Sequence, residues 1–278
     1  MSPDLRRVDL HAHTSCSDGL LSPEELVRAA ARLGLAALAV TDHDSVEGLA
    51  EAEAAAVDAG VELIRGVEIS CEEEGFEIHI LGYLLDDPES VRLPLQDLRE
   101  HREERMRAMI EKTAALGFDV RYDEVAALAD GGSIGRPHLA RVLERKGYVR
   151  SIEEAFLRYL GDDGAANVPK KRLRVVEAVQ CIRASGGIPV VAHPGVNRLD
   201  PILPSLFGQG VEGIEVYSSA HTAEDTARYR SLALAHGLCI TGGSDFHGPE
   251  SEGRILGEPR VPYETVTGLK ARRAGKGS

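Results

Sequence analysis

Seven short apolar runs punctuate the chain: RRVDL, LAALAV, VELIRGV, FEIHILGY, IPVVA, VEGIEVY and LCITGG. Most are continuously apolar rather than alternating, the pattern of strands covered on both faces, as in a parallel sheet or barrel. Amphipathic segments separate several of them. In SPEELVRAAARLG, Ser22 is placed to cap a helix, Pro23 takes its first position, Glu25 completes a capping box and Gly34 ends it. TAEDTARYRSLALAHG repeats this grammar between Thr222 and Gly237, and residues 45–59 predict a further helix closed by Gly60. Strand and helix alternating through short links predict right-handed βαβ units. The fold class is therefore α/β, a somewhat irregular seven-stranded barrel.

The rhythm breaks at residues 97–175, which read as helices only: LREHREERMRAMIEKTAALG, YDEVAALA, RPHLARVLERKG and SIEEAFLRYLG. The expected organisation is a barrel of residues 1–96 and 171–278 with a small all-helical insertion, 97–170, capping it. The tail KARRAGKGS is expected to fray.

Composition narrows the function. With 278 residues, 43% of them apolar, a large core is available, but aromatics are 4% and Trp is absent, so Ala, Val, Leu and Ile must build it. The net charge of −13 argues against a DNA-coating or membrane-surface protein, and no stable DNA complex is expected. An anionic substrate is still allowed, because metal ions reverse the sign locally. Half of the 32 basic residues lie in the helical stretch 97–175, a pattern that solvated helices produce without any function. Cys16, Cys71, Cys181 and Cys239 form no CxxC pair and read as scattered reduced thiols. No signal segment opens the chain and no apolar run approaches the ~20 residues of a membrane span, so a cytoplasmic location is expected.

The histidines carry the chemistry. His11 and His13 follow the first strand in DLHAHTSCSDG, His43 follows the second in TDHDS, and Glu68 follows the third. His79 ends FEIHI, His193 lies in VVAHPG, and Asp245 and His247 follow the last strand in GGSDFH. With Asp18, six histidines and three carboxylates fall at or just past strand ends, which in barrels and open α/β sheets converge on the active-site rim. Imidazole with carboxylate suits zinc, manganese, iron or nickel, and the lack of Cys ligands argues against a closed structural zinc site. The i, i+2 pair His11 and His13 points both rings one way. Nine ligands are too many for one ion and suit two or three, the usual machinery for attack on phosphorus. Cys16 lies in the same loop, though a small buried thiol is the simpler reading. Asp42 and Asp44 flank His43, either to orient it or to cap the following helix. His101, His221 and His236 fall in predicted helices without assigned chemistry.

The set DLHAHTSCSDG, TDHDS, GVEIS, IHILGY, AHPG and GSDFH resembles the PHP (polymerase and histidinol phosphatase) superfamily, in order and across almost the whole chain. The resemblance implies a distorted seven-stranded β/α barrel and a divalent metal centre, with manganese first and zinc, iron(II) or magnesium as alternatives. It implies that His11, His13, Glu68 and Asp245 hold one ion. Glu68, His79 and His193 would hold a second, bridged by Glu68, and Asp18, His43 and His247 a third. The stretch GRPHLARVLERKGYVRSIEEAFLRYLGDDGAANVPKKRL resembles the bacterial branch that dephosphorylates nucleoside 3′,5′-bisphosphates and is associated with 5′-to-3′ trimming of short RNA. In that branch the Gly-Arg-Pro-His element binds substrate phosphate, which here means Arg136 and His138. They flank a helix N-terminus begun by Pro137, a favourable place for an anion. Lys170 is a weaker candidate for the same phosphate, within the basic run Lys170, Lys171, Arg172 and Arg174.

The implied reaction is in-line hydrolysis of a nucleotide phosphomonoester, releasing the 3′ phosphate. Arg136 and His138 would stabilise the equatorial oxygens, with His247 a candidate acid for the leaving group. Three rival readings are a histidinol or general sugar phosphatase, a polymerase-associated or structural metal-binding module, and an amidohydrolase. The last usually needs a bridging lysine, and no strand end here carries one.

Overall fold

The computed structural model describes residues 6–129, 133–249 and 253–275. In chain order its elements are β1 (Arg7–Asp9), α1 (Pro23–Arg32), β2 (Ala37–Val40), α2 (Leu49–Ala59), β3 (Glu62–Glu73) and β4 (Phe76–Tyr83). Four helices follow, α3 (Pro88–Ala115), α4 (Tyr122–Ala129), α5 (Arg136–Arg145) and α6 (Ile152–Ala155), the last running into a π-helical turn, Phe156–Leu160. Then come α7 (Val175–Ala184), β5 (Ile188–Val191), α8 (Leu203–Gly208), β6 (Gly213–Ser218), α9 (Ala223–Ala235), β7 (Cys239–Gly243), β8 (Val261–Pro262) and α10 (Glu264–Ala274).

All strands belong to one sheet of order β7-β6-β5-β4-β3-β2-β1-β8. The sheet nearly closes on itself. Leu10 N donates to Gly242 O at 3.1 Å, His13 N donates to Phe246 O at 2.9 Å, and Ala12 bridges Phe246 in parallel register. The seven runs read from the sequence all appear. The eighth strand, β8, is too short to leave a hydrophobic signature and pairs antiparallel with β1.

The expectation of βαβ units fails at β4, which runs antiparallel to both β3 and β5. The cause is local. Glu74 and Gly75 join β3 to β4 with φ of 52° and 82°, a two-residue turn in the left-handed region, and so tight a link permits only a hairpin. β4 therefore brings the early part of its strand, rather than its end, to the rim where the parallel strands finish. His79 reaches the rim by this route, opposite Ser70.

Apolar side chains divide between the two faces. Val8, Leu10, Ala37, Ala39, Ile64, Leu81, Tyr83, Ile188 and Val190 cluster on one side, closed by Val266 and Leu269 of α10. Leu38, Val40, Val67, Ile69, Ile78, Ile80, Val191 and Ile214 face the other way, against Leu26, Leu49, Val179 and Leu206 of the surrounding helices. Each fully buried Leu, Ile or Val contributes about 1.5–3 kcal/mol, so an aliphatic core suffices without Trp. The helices end as their caps require. Ser22 and Glu25 close a capping box, Thr222 and Asp225 another, and Gly34 takes φ 70°. α2 starts at Leu49 rather than at residue 45, because residues 45–48 first leave the rim without a side-chain cap. The expected fraying of the tail is overturned within the described residues. α10 runs to Ala274, and Arg272 and Arg273 bond the carbonyls of Gly237 and Leu84.

α3 begins at Pro88 and passes through residue 97 without a break. Val91, Leu95 and Leu98 of its first half join the barrel's outer cluster, while Met106 and Met109 join a separate cluster with Val125, Leu139, Leu143 and Leu160. Polar ties add to this shared helix. Arg102 donates two hydrogen bonds to Asp44, Lys170 donates to Ser70, and Arg172 pairs with Glu72 and Glu77 at 3.1 and 2.7 Å. Lys171 and Arg174 pair with Asp97 and Glu73, so the basic run 170–174 is tied down along its length.

Asp44 is fully buried between these partners. Burial alone would raise its pKa, but the Arg102 guanidinium and the Lys170 ammonium hold the carboxyl well below the usual range. Burial and Arg102 in turn push Lys170 down to about 7. Asp44→Asn leaves Arg102 buried without its counter-charge and is expected to cost about 3–5 kcal/mol at pH 7, read from denaturant midpoints. Because the folded-state pKa is depressed, this contribution is present above the unfolded value near 3.9. The gap between wild type and variant should therefore shrink as pH falls below about 4.

Candidate metal centre

β1 runs on past Asp9 into an extended stretch in which Ala12 is locked to the neighbouring strand end. Ala12 N donates to Thr41 Oγ1 at 3.1 Å, and Thr41 N donates to Ala12 O at 2.9 Å. Alternation about Ala12 sends His11 and His13 the same way, with ring centroids 5.2 Å apart. They meet Glu68 from β3, whose backbone pairs with the His43 segment. Glu68 has no exposed surface. Its Oε2 lies 3.3 Å from Nε2 of His11, 3.3 Å from Nε2 of His13 and 3.0 Å from Nδ1 of His43. Its Oε1 lies 2.8 Å from His79 Nδ1 and 3.1 Å from His193 Nε2. Asp245 Oδ1 approaches Nε2 of His11 and His13 at 3.4 and 3.2 Å, and Asp18 Oδ1 approaches His247 Nε2 at 3.3 Å.

All nine side chains singled out in the sequence thus converge. Their ligand atoms form overlapping groups: His11, His13, Glu68 and Asp245; His13, Asp18, His43 and His247; and His43, Glu68 and His79. The first is the set expected for one ion. The third-ion set gains His13. Around Glu68, His43 stands with His79 where His193 was expected, and His193 instead groups with His11 and Glu215.

The donors fit divalent cations on a specific ground. Nε2 of His11, both ring nitrogens of His13, Nδ1 of His43, Nε2 of His79, Oδ1 of Asp18 and Oε2 of Glu68 are buried with no hydrogen-bond partner. Buried polar atoms are normally satisfied, and these orphans crowd one centre. The electrostatics agree. Burial disfavours the charged forms, yet the neighbouring rings hold Glu68, Asp18 and Asp245 well below the carboxylate range. Burial likewise lowers His13 and His79, but Glu68 and the other nearby carboxylates outweigh it and raise both to about 9. Carboxylates this close need positive charge between them, which cations supply in place of ring protons.

Around the donors stand carboxylates that hold the scaffold. Glu215 accepts from His11 Nδ1 at 3.0 Å and from His193 N at 2.6 Å, leaving Nε2 of His11 free to ligate a cation. The sequence reading passed over Glu215, although a charge inside the apolar run VEGIEVY was its signal. Asp42 neither orients His43 nor caps α2. It accepts from Thr14 N, Thr14 Oγ1 and Ser17 Oγ at 2.7, 2.6 and 2.6 Å and so shapes the loop that presents Asp18. Asp44 binds Ser70 N at 2.8 Å besides Arg102. Asp9 accepts from the backbone of His11, Ser244 and Gly257. His193 and Asp245 take φ of 24° and 54°, a costly backbone that these bonds hold in place.

The other candidates separate. Burial pushes the Cys16 thiol up to about 11, and its sulfur is outside the ligand groups. His221 lies before α9 rather than in it and accepts from Gly195 N at 3.2 Å, steadying the loop after His193. Asp18, His43, His79, His193, Asp245 and His247 open onto a cavity of about 730 Å³. From α5, Pro137, Arg141 and Glu144 line it, and Arg254 lines it from the loop after β7. Arg136 and His138 are not in its wall. Arg136 donates to Leu160 O at 3.1 Å and Asp162 Oδ1 at 2.8 Å. His138 accepts from Gly135 N at 3.0 Å to cap α5, and burial lowers it to about 4. Lys170 is likewise absent from the wall and donates to Ser70. Arg254 carries no sequence signal: it pairs with Asp245 Oδ2 at 3.2 Å, and its Nη1 comes within 3.1 Å of His247 Nδ1.

Known proteins resemble this chain over most of its length. A 3′,5′-nucleoside bisphosphate phosphatase of Chromobacterium violaceum is 36% identical over 260 residues, 91% of each chain. A 5′-3′ exoribonuclease of Haemophilus influenzae is 38% identical over 251 residues, covering 88% of this chain and 91% of its own. A solved structure from Bifidobacterium adolescentis, described as that of a metal-dependent phosphoesterase, superposes with a TM-score of 0.89 at 31% identity, covering 98% of both chains. Residues 9–166, from the first ligand loop to beyond the π-helical turn, match the PHP domain family. The clustered donors and these relatives lead to one assignment: the chain belongs to the PHP family and is a metal-dependent phosphoesterase.

Proposed function

We propose that this enzyme removes the 3′ phosphate from nucleoside 3′,5′-bisphosphates, and that short RNA bearing a 5′ phosphate enters the same site. The observation that carries this reading is a single cavity of about 730 Å³ holding both the ligand cluster and two guanidinium groups, Arg141 and Arg254. Its size lies within the ~300–1,000 Å³ usual for small-molecule sites. A substrate with one phosphate needs one anion site, whereas a second phosphate calls for further positive charge along the cavity. The activity of the Chromobacterium violaceum relative supports the same choice.

The reacting phosphate lies where Asp18, His43, His79, His193, Asp245 and His247 face the cavity, in front of the buried His11, His13 and Glu68. Divalent cations bound there, manganese by preference, supply Lewis acidity toward the phosphate oxygens and acidify water near neutral pH. Arg254, already beside Asp245 and His247, donates to the equatorial oxygens as negative charge moves onto them. Arg141 on α5 holds the second phosphate. His247 has Nδ1 on the Asp245 carbonyl at 2.8 Å, which leaves Nε2 directed at Asp18. Arg136 and His138 act behind the wall, fixing α5 so that Arg141 faces the cavity. The helices between α3 and the π-helical turn form the cap that carries these residues.

Digestion of adenosine 3′,5′-bisphosphate with added Mn²⁺, followed by chromatography, is expected to yield adenosine 5′-monophosphate and inorganic phosphate. Release of the 5′ phosphate alone, or faster turnover of histidinol phosphate, overturns the assignment. Glu68→Gln is expected to lower bound metal, measured by elemental analysis. Its activity should fall by more than the ~10–100-fold typical of an outer partner of a metal ligand. Arg254→Ala is expected to cut kcat/KM by about 10–100-fold with metal content unchanged, and lost metal would instead assign Arg254 a structural role.

A further inference from the structure

The metal centre and the two arginines account for one part of the cavity. Leu20, Ile152, Phe156 and Val196 line another, from three separate segments of the chain. Val196 is 52% exposed and Leu20 38%, unusual for apolar residues beside so charged a centre. Aromatic rings are scarce in this protein, with 5 Phe, 7 Tyr and no Trp. Among the described Phe and Tyr residues, Phe156 is the one in the cavity wall.

Two further features single out Phe156. It opens the π-helical turn that continues α6, and such turns are uncommon and concentrate at functional sites. Ile152 and Phe156, four residues apart, both line the cavity while packing, like Tyr159, against the helical core. The second feature is Arg136. Its guanidinium, anchored on Leu160 O and Asp162, lies over the Phe156 ring with Cζ 5.7 Å from the centroid. The ring is half-buried and braced, yet still part of the wall.

We propose that Phe156, with Ile152 beside it, is a platform on which the substrate's nucleobase stacks, so that the enzyme selects nucleotides over base-free sugar phosphates. This rests on the reading of the cavity as a nucleotide site. A flat π face and an aliphatic rim recognise any base by stacking and do not read its hydrogen-bonding edge. The platform therefore gives a preference for nucleobases as a class, with little choice among them, as an enzyme acting on mixed nucleotides requires. Arg136 serves it as a positioning residue, holding the ring in place.

The test compares wild type with Phe156→Leu, which keeps an apolar wall but loses the π face, and with Phe156→Tyr, which restores it. One readout is the ratio of kcat/KM for adenosine 3′,5′-bisphosphate to that for its base-free counterpart, ribose 3,5-bisphosphate. The other is the fluorescence quenching of 1,N6-ethenoadenosine 5′-monophosphate on binding, with metal content checked in each protein. Phe156→Leu is expected to lower the selectivity ratio by about 10-fold or more and to weaken the quenched complex similarly, with both restored in Phe156→Tyr. Equal losses on both substrates, or quenching that is the same in wild type and Phe156→Leu, overturns the platform. If wild type releases no 3′ phosphate, the functional reading of the preceding subsection falls. Ring-dependent quenching would in that case still support the platform.

Discussion

One buried carboxylate sets the terms for the rest of the molecule. Glu68 has no exposed surface, and five imidazoles, those of His11, His13, His43, His79 and His193, lie within 3.3 Å of its two oxygens. An isolated carboxylate in such a place would be neutralised by a proton. Here the surrounding donors keep it ionised, and their own lone pairs remain unsatisfied until cations occupy the space among them. A site of this kind is stable only if five chain segments arrive together, so the barrel must close tightly at this rim.

The closure relies on carboxylates outside the nine side chains singled out in the sequence. Asp9 gathers the backbones of His11, Ser244 and Gly257, joining the first strand end to the last. Asp42 folds the loop behind Asp18, and Glu215 ties His11 to the His193 backbone. Each satisfies several donors at once, which offsets the cost of burying its charge and holds His193 and Asp245 at backbone angles that an unsupported loop would relax from. The preorganisation of the centre comes from this outer layer as much as from the ligands.

α3 relates the barrel to the helical layer above the rim. One half of it packs on the barrel and the other half in a core of its own, and Arg102 on Asp44 fixes the join close to His43. The cavity is consequently built from both layers: candidate metal ligands from strand ends, and Arg141, Ile152 and Phe156 from the helices. The candidate ligands thus come from strand ends and much of the remaining wall from the helices.

The sequence by itself determined where nine candidate donors gather and where seven of the eight strands lie. Histidines and carboxylates at the ends of continuously apolar runs are legible because strand ends share a rim, and an i, i+2 histidine pair shares a face whatever lies around it. Helix caps at Ser22 and Thr222 were equally local and equally readable. Tertiary structure alone decided what depends on partners distant in the chain. The reversal of β4 followed from a two-residue turn hidden among glutamates, and β8 was too short to show a period. The sequence placed Arg136 at an anion-binding helix start, but the fold turned its guanidinium to Leu160 and Asp162 and left the cavity wall to Arg141, Arg254 and Phe156. A strand end or a cap is specified within a few residues. Which guanidinium faces a cavity is fixed by contacts across dozens of residues, and local sequence does not encode them.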